Sequence, residues 1–385
     1  MADIKPVRRY LTGLAEFQSG DTIGIADGGS GAGTASGART NFDVYSKGEV
    51  DGLISGVGSG SIGDKVTGHI DPSESVLTWD AGTRTMTIAP ATTEFSYYIQ
   101  DQKITRTTPS SYQWPDVTGG YIVVLDAQGN LAPPAYTPSY VRNLLYDNAI
   151  TMYVYWNATA QKIIVKGDER HGHTMSPRTH QYLHSTRGTS YAGGLNLYNV
   201  IVDDDGDDNE QVQFGITAGS IWDEDIQHNI PEKLPTDNIK IIYREGTDGR
   251  WNSIENHPYI CYNGSLPSGS RANYNRLNGS NWEFDQVSNN DFMLMHLFAT
   301  NDLESPLILV MGQEEYTTGF NAREAVQDEL LQLQTDGLPT SEFKSIASFI
   351  IQTSTNYNNA VHSRIRSTSD GDDYYDWRYE RTGGD

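Results

Sequence analysis

The sequence predicts a mainly β fold, built from antiparallel β-sandwich-like domains with a few short helices. The 385 residues include 23 tyrosines, 7 tryptophans and 38 glycines. Aromatic residues suit the pleated, half-buried surface of a sheet, and glycine is common in the turns between strands. Short apolar runs also alternate with turn residues, as at 76–79 and 85–89 on either side of a loop that contains Gly82. This spacing is typical of a β-hairpin.

We expect four segments along the chain. Residues 1–72 form an N-terminal segment with glycine-rich joints at 28–37 and 56–63. Residues 73–166 are predicted to be a small antiparallel β domain, because strand-like runs recur with turn residues between them. Residues 167–194 are a histidine-rich helical connector, with a helix over 174–187, and residues 195–385 are a C-terminal β-rich domain.

Within the C-terminal domain one helix is predicted, at 321–335. Asn321 and Glu324 stand at capping-box spacing, and the segment ends before Gly337. Strands are expected at 211–216, 239–243, 259–262, 291–298, 307–311 and 345–351, and the continuously apolar runs at 291–298 and 307–311 are expected to be the most buried. The helix face that we expect to be buried comprises Ala322, Val326, Leu330 and Leu333.

Composition excludes several classes of protein. Lysine and arginine total 27 against 50 aspartate and glutamate, so the formal charge is −23. Phosphate backbones and anionic membranes would repel this surface, and we expect neither nucleic acid nor membrane insertion. The single Cys261 excludes an intrachain disulfide. Residues 1–10 lack the apolar core of a signal peptide, so we expect synthesis and retention in the cytoplasm until the cell is opened.

A short amphipathic helix is predicted just after the first glycine-rich joint. Ser46 and Glu49 have capping-box spacing. The helix spans barely three turns and contains Gly48 and Gly52, so alone it is marginal in water. Copies of itself around a symmetry axis would stabilise it; a linker with a transient helical turn is the alternative. The apolar positions of this predicted oligomerisation seam are Val50, Leu53, Ile54 and Val57.

The N-terminal segment resembles a known family. Residues 28–41 and 44–54 are similar to a segment found near the N-terminus of many tailed-bacteriophage fibre and appendage proteins. Residues 14–23 read Leu-x-Glu-Phe-x-x-Gly-Asp-x-Ile, which resembles a virion-attachment segment of such proteins, with Leu14, Phe17 and Ile23 as its apolar residues. The likeness is fair at 150–190 and around 311–313, and thin elsewhere.

The resemblance implies a non-enzymatic structural protein of a tailed-phage virion, synthesised in the host cytoplasm. It implies a homotrimeric tail fibre or appendage that is anchored by its N-terminus and contacts other tail or head proteins. An alternative is a capsid decoration or head-fibre protein. A third is a protein that binds a host surface glycan, for which Trp251 and Trp282 are the candidate receptor contacts. A depolymerising tailspike is the least favoured.

Four of the nine histidines fall within fourteen residues. On a helix, His180 and His184 lie one turn apart on the same face, a spacing that lets two imidazoles share a metal. We therefore weigh a divalent metal site against histidines that hydrogen-bond within a crowded turn, and favour the latter. Asp168 and Glu169 either support such a site or pair with Arg170. The candidate metal ligands are His171, His173, His180 and His184.

Three other motifs are rejected. The acidic loop at 203–210 fails the EF-hand register, since Gly206 would require a ligand at Ile201. Residues 58–63 match G-x-G-x-x-G, but no strand precedes them and no helix follows, so no dinucleotide is expected. The run Asp223-Glu224-Asp225 beside Trp222 suggests a glycosidase pair, but neighbouring strand residues point to opposite faces, and we expect a charged strand end. No cofactor and no catalytic residue is predicted.

Overall fold

The computed structural model describes residues 7–10, 13–16, 37, 65–133, 142–264 and 271–380. The chain divides into two compact units, Met1–Asp64 and Lys65–Asp385. In the first unit, strands β1 (Val7–Tyr10) and β2 (Gly13–Glu16) pair antiparallel, with Leu14 opposite Arg9. Phe17 and Ile23 of the predicted attachment segment lie outside the described residues, as does the predicted seam of Val50, Leu53, Ile54 and Val57.

The second unit consists mostly of strands. Its first ten are β3 (Gly68–His69), β4 (Ser75–Asp80), β5 (Thr85–Pro90), β6 (Phe95–Ile99), β7 (Gln102–Arg106), β8 (Ser110–Gln113), β9 (Gly119–Leu125), β10 (Leu131–Ala132), β11 (Ala149–Asn157) and β12 (Lys162–Asp168). The next seven are β13 (Ser190–Gly194), β14 (Leu197–Tyr198), β15 (Gly215–Ile216), β16 (Gly219–Asp223), β17 (Ile226–Ile230), β18 (Lys240–Glu245) and β19 (Arg250–Ile254). The last seven are β20 (Asn273–Asn278), β21 (Asn281–Gln286), β22 (Phe292–Thr300), β23 (Leu307–Met311), β24 (Phe343–Thr353), β25 (Ser363–Arg366) and β26 (Tyr375–Asp376).

Three α-helices occur in the described part of this unit: α1 (Arg142–Asp147), α2 (Pro177–Thr186) and α3 (Gly319–Gln332). Short 3-10 helices lie at Pro72–Glu74, Asn209–Val212 and Thr340–Glu342. The prediction of a mainly β fold is confirmed. No helix among the described residues is long and apolar enough to cross a membrane.

The N-terminal half of the second unit holds three small sheets, ordered β3-β6-β7, β4-β5-β8 and β10-β9-β11-β12. All their strand pairs are antiparallel, including the predicted hairpin of β4 and β5. Between them lies an aromatic-rich core in which Trp114 and Trp156 are buried and Trp79 packs edge-on against Trp114. Aromatic rings thus supply the largest buried side chains of this core, which also contains Ile, Val, Leu and Met residues.

The C-terminal half is organised by a seven-stranded sheet in the order β19-β18-β23-β22-β24-β25, with β26 also pairing β24. Its pairs are antiparallel except β18 with β23, which are parallel. Every residue of β22 and β23 is buried, as their continuously apolar sequences predict. Along β22, Met293 and Met295 face one core, whereas Leu294 faces α3. Both faces of the sheet are therefore covered.

A further core joins the two halves of the second unit. Tyr153 and Ile164, from the four-stranded sheet, share it with Ile242, Trp251 and Val310 from the seven-stranded sheet. The segments 73–166 and 195–385 thus contact each other through buried apolar side chains. The four segment boundaries themselves stay predictions.

Helix α3 differs from the predicted helix at both ends. It spans Gly319–Gln332, and its N-cap is Thr318, whose hydroxyl accepts a hydrogen bond from the Asn321 amide. The predicted capping box at Asn321 and Glu324 is therefore wrong, because these residues already lie inside the helix. Of the predicted face, Ala322 and Val326 are buried, and Leu330 and Leu333 are partly buried.

Of the predicted strands, 211–216 is shortened and 259–262 does not form. Residues 209–212 form a 3-10 helix in place of the first part of the predicted 211–216 strand, and only Gly215–Ile216 pair, with β14. Residues 259–262 are irregular. Their apolar side chains are nevertheless buried, among them Ile260 and Cys261. Burial without a ladder partner gives the same local pattern as a strand.

Replacing Phe349 by alanine should destabilise the second unit strongly. Phe349 lies in β24, is fully buried, and its ring centroid is 5.3 Å from that of Phe214. We expect Phe349→Ala to lower the free energy of unfolding by about 3–5 kcal/mol, measured by urea denaturation. Phe320→Ala is the matched control, since Phe320 is 68% exposed on α3 and its loss should change little. Equal effects of both substitutions would contradict the assignment of the core.

Candidate functional site

A buried group of histidines and carboxylates lies where several segments of the second unit meet. His171 follows β12, His180 and His184 lie on α2, Glu224 lies in the turn between β16 and β17, and Glu342 lies in the 3-10 helix before β24. We call this the His/Glu cluster and include in it Glu169, Asp223, Asp225 and Asn301.

His171 is held in one orientation by a carboxylate. Its Nδ1 donates to Asp225 Oδ1 at 2.8 Å, and the Gly172 amide donates to Asp225 Oδ2 at 2.9 Å. Nε2 is buried and makes no hydrogen bond, and it lies 3.4 Å from Glu169 Oε2 and 3.7 Å from Glu224 Oε2. The second nitrogen of this imidazole therefore points into the cluster.

Helix α2 brings two further histidines to the same place. Ser176 caps the helix by accepting from the Thr179 amide, and Pro177 occupies its first turn. His180 and His184 are four positions apart, so they lie on the same face of the helix, and both are buried. The ring centroids of His171 and His180 are 4.3 Å apart, and those of His180 and His184 are 6.4 Å apart.

The acidic run at 223–225 is folded into the cluster. β16 and β17 pair through Asp223 and Ile226, so Glu224 and Asp225 form the two-residue turn between them. Glu224 has φ +41°, a conformation that residues other than glycine rarely adopt. Its side chain is 1% exposed, and neither carboxylate oxygen receives a hydrogen bond. The expectation of a charged strand end is therefore wrong for Asp223 and Glu224, whose carboxylates are buried, whereas the Asp225 side chain is 29% exposed.

The 3-10 helix before β24 supplies the opposite wall. Glu342 Oε1 lies 3.0 Å from His184 Nδ1, and Ser341 Oγ lies 2.9 Å from His184 Nε2. The Ser341 carbonyl accepts from the Thr189 amide at 2.7 Å. This approach requires glycine at position 188, which has φ +56° and where a Cβ would lie 2.7 Å from the Ser341 carbonyl oxygen.

Asn301 and an adjoining ion pair fix the remaining carboxylates. The Asn301 Nδ2 donates to Glu169 Oε1 at 2.9 Å and to Asp223 Oδ2 at 3.0 Å. Beside them, Arg170 donates to both oxygens of Asp168, from Nε at 2.8 Å and from Nη2 at 2.5 Å. Its Nη1 also donates to the Ser75 carbonyl at 2.7 Å. The ion pair thus ties the cluster to the first β-strands of the unit.

Burial shifts the pKa values of the cluster strongly. Burial and the neighbouring charge of Asp223 raise the pKa of Glu224 to about 10. Burial, with Asp223 and Glu169 nearby, also raises the pKa of Glu342 well above its usual value. Burial lowers the pKa of His184 to about 4. Burial opposes the protonation of His171, but the carboxylates of Asp225 and Glu169 raise its pKa well above the usual range.

The cluster contains three overlapping sets of metal-ligand atoms. In each set the atoms lie within 4.8 Å of one another. Imidazole nitrogen and carboxylate oxygen are the ligands of many divalent transition-metal sites. The three sets are His171, His180 and Glu224; Glu169, His171 and Asp223; and His184, Glu224 and Glu342.

Ser341, His184 and Glu342 have the distances of a Ser-His-acid relay. However, the Ser341 hydroxyl also donates to Glu342 Oε1 at 3.2 Å, and Ser341 is 5% exposed. A nucleophile must reach its substrate and must be deprotonated by the histidine. Because the hydroxyl is buried and its proton has a carboxylate acceptor, this trio is better suited to fixing His184 than to nucleophilic attack.

The structure unites three of the four predicted histidines. His173 is separate: its ring stacks on Tyr98 at 4.8 Å between centroids, and its Nδ1 lies 3.1 Å from the His69 carbonyl. His173 is thus not part of the cluster, because the turn after His171 directs it toward β3 and β6. Asp168 pairs with Arg170, which is one of the two roles that the sequence left open.

The predicted receptor contacts need correction. Trp251 is fully buried and Trp282 is 5% exposed, so neither ring offers a face on which a sugar could stack. The Cζ of Arg244 lies 5.8 Å from the Trp251 ring centroid and 4.8 Å from that of Trp282. Both tryptophans therefore stabilise the interior around Arg244. Period-two burial along β19 places Trp251 there, and Trp282 is the buried residue of β21.

Sequence reasoning missed several members of the cluster. Glu342 and Asn301 stand alone in the sequence and carry no local motif, so no spacing rule could find them. Glu224 could have been found, because a two-residue turn at 224–225 is the natural break between the alternating runs around Trp222 and Ile226.

The acidic loop at 203–210 is a hydrogen-bonded turn, in which Asp203 pairs with Arg366 and Asp205 accepts from Gln211.

Removing the charge of Asp168 should destabilise the fold. Both side chains of the Arg170–Asp168 pair are 10% exposed, so Asp168→Asn leaves a buried guanidinium without its counter-charge. We expect a loss of about 3–5 kcal/mol in the free energy of unfolding, measured by urea denaturation. The control is Asp285→Asn, which breaks the exposed Arg276–Asp285 pair and should lose less than about 1 kcal/mol. A small effect of Asp168→Asn would mean that the pair does not anchor the cluster.

Comparison of the chain with protein-family models, with curated proteins and with solved structures finds no match. The role of the cluster is therefore inferred from its own residues: a buried, multiply tethered set of ligand-type side chains at the meeting point of five chain segments.

Proposed function

We propose that this protein is a non-enzymatic structural subunit of a tailed-phage virion, a homotrimeric tail fibre or appendage anchored by its N-terminus. The observation that supports it best is the order of elements along the chain. Glycine-rich joints and a short amphipathic helix pattern in residues 28–63 precede a β-rich unit that begins at Lys65. A β-rich body behind a jointed attachment segment suits a subunit that is fixed at one end.

The geometry of the His/Glu cluster also favours a structural role. Glu169, His171 and Glu342 are all at most 4% exposed, and their hydrogen bonds to Asn301, Asp225 and Thr189 join separate segments of the chain. Groups that bind and turn over a substrate usually line an open cleft. Here the same residue types hold the interior together, as expected in a protein whose work is mechanical.

Capsid decoration or a head-fibre role is the alternative. A decoration protein would use the same β-rich unit but would not need to form a trimer through the predicted oligomerisation seam. The oligomeric state of the full chain therefore distinguishes the two.

The seam predicts a mass of three chains in solution. We expect the full chain to have three times the 42.6-kDa mass of one chain by light scattering. Leu53→Asp together with Ile54→Asp should dissociate or weaken the trimer, since charges would enter its apolar contact. Asp51→Asn, off the apolar face, is the control and should leave the mass unchanged. A monomeric wild-type chain would contradict the fibre proposal and favour decoration.

A contribution to host attachment is proposed as a second role, through a cleft on the second unit. The cleft has a volume of about 710 Å³ and is lined partly by Tyr182, Tyr191, Arg187 and Tyr379. Tyr182 is 66% exposed and Tyr379 is 77% exposed. Exposed aromatic faces beside polar groups are suited to stacking on sugar rings. We propose this cleft, in place of Trp251 and Trp282, as the contact for a host-surface glycan.

Binding of the full chain to host cells tests this placement. Tyr182→Ala with Tyr379→Ala should reduce the bound fraction at least several-fold, because the stacking surface is removed. Phe320→Ala removes an equally exposed aromatic ring elsewhere and should leave binding unchanged. Normal binding by the double tyrosine variant would remove the cleft as the receptor contact.

A further inference from the structure

Two side chains of the His/Glu cluster are aimed at a common point without hydrogen-bond partners there. His171 Nε2 and both oxygens of Glu224 are buried and make no hydrogen bond. His171 is 4% exposed, and the Glu224 side chain is 1% exposed. Buried polar atoms without hydrogen-bond partners are unfavourable, and one bound cation would supply the missing partner to both side chains.

We propose that His171, His180 and Glu224 bind one divalent transition-metal ion, of the zinc type, per chain. This goes beyond the structural role proposed above, since it concerns the interior of a single chain. The ion contacts His171 through Nε2 and Glu224 through its carboxylate. The ligand atoms of the three residues lie within 4.8 Å of one another.

The orientation of His171 matches that of a metal ligand. Its Nδ1–H donates to Asp225 at 2.8 Å, which leaves a lone pair on Nε2 directed inward. Metal-binding histidines commonly donate their other ring N–H to a carboxylate in this way, and the carboxylate fixes the tautomer and increases the basicity of the ligand nitrogen. Asp225 is therefore the positioning residue of the site.

The spacing permits coordination after small side-chain movements. Zinc bonds to imidazole nitrogen at about 2.0–2.1 Å, which places neighbouring ligand atoms about 3.3 Å apart in a tetrahedron. His171 Nε2 and Glu224 Oε2 are already 3.7 Å apart. Two imidazoles with a carboxylate suit zinc, cobalt or nickel, whereas calcium and magnesium prefer oxygen ligands alone.

The neighbouring set of His184, Glu224 and Glu342 is less suitable. Ser341 Oγ lies 2.9 Å from His184 Nε2 and 3.2 Å from Glu342 Oε1, and Glu342 Oε1 lies 3.0 Å from His184 Nδ1. Ser341 Oγ thus already engages His184 Nε2 and Glu342 Oε1 by hydrogen bonds. His184 and Glu342 therefore form a wall of the site, and the ion lies on the His171 side of Glu224.

A cavity lies beside Glu224. A cavity of about 220 Å³ is lined by Glu224, Trp222, Arg187, Gly188, Leu183 and Ser190. Trp222, one of these lining residues, is 41% exposed. The volume admits a hydrated ion, and a water molecule in the cavity can complete a four-coordinate site as the fourth ligand.

Cobalt and zinc titrations of the full chain test the proposal. The tag-free protein is treated with EDTA, dialysed, and titrated with Co²⁺, whose visible absorption reports coordination by nitrogen and oxygen. We expect saturation at one ion per chain and displacement of Co²⁺ by one equivalent of Zn²⁺. The metal content per chain, measured by inductively coupled plasma mass spectrometry, should agree with the stoichiometry of the titration. The metal should also raise the Tm of the protein, because it binds the folded state.

Variants assign the ligands. His171→Gln and Glu224→Gln should abolish saturable binding, and Asp225→Asn should weaken it by about 10- to 100-fold. His173→Gln is the matched control, because His173 belongs to the same His-Gly-His run but faces Tyr98, and it should bind as the wild type does. Circular dichroism of each metal-free variant checks folding. If Glu224→Gln does not fold, Asp225→Asn decides, since the Asp225 side chain is 29% exposed.

Three results would overturn the proposal. A folded wild-type chain that shows weak, non-saturating uptake of Co²⁺ and Zn²⁺ has no such site. A folded Glu224→Gln or Asp225→Asn variant that binds as the wild type does would exclude this ligand set. Equal losses of metal binding in His171→Gln and His173→Gln would indicate that the metal binds histidines non-specifically and not at this site. Because binding is counted per chain, the outcome does not depend on whether the protein is trimeric.

Discussion

Burial of strand β22 on both faces is the constraint on which the second unit depends. All nine residues from Phe292 to Thr300 are buried. A strand of this kind cannot stand at a solvent-facing surface, so layers must pack on each side of it. One face meets the core around Phe214 and Phe349, and the other meets α3 and the core shared with the four-stranded sheet. The remaining sheets and helices are placed by that requirement.

The polar cluster lies where this layered packing gives way to connecting segments. Asn301 directly follows β22, Glu342 directly precedes β24, and Glu169 directly follows β12. Backbone and side-chain polar groups at such points are buried by the neighbouring layers and must find partners inside the protein. Several of them pair within the cluster, as Asn301 does with Glu169 and Asp223, whereas His171 Nε2 and both Glu224 oxygens make no hydrogen bond. The packing of the layers at the strand ends therefore also brings the possible metal ligands of the cluster together.

Much of the fold can be predicted from the sequence because its signals are local. The apolar runs of β22 and β23 and the hairpin of β4 and β5 follow from periodicity and turn residues. The pairing of His180 with His184 follows from helical spacing. Trp251 is not the exposed receptor contact that was predicted, because it takes a buried position of the alternating strand β19, between the half-buried Arg250 and Asn252. Glu342 and Asn301 reach the cluster through tertiary packing, which leaves no trace in local spacing.

The distribution of the cluster along the chain has a consequence for folding during synthesis. Its members come from positions as far apart as Glu169 and Glu342. On the ribosome, the residues from 169 to 225 emerge well before the segment at 340–342, so the carboxylates and imidazoles of the first part remain hydrated until then. Closing so long a loop is entropically unfavourable until the central strands pair. Completion of the cluster is thus a late event, and a nascent chain that stops short of residue 342 lacks one wall of it.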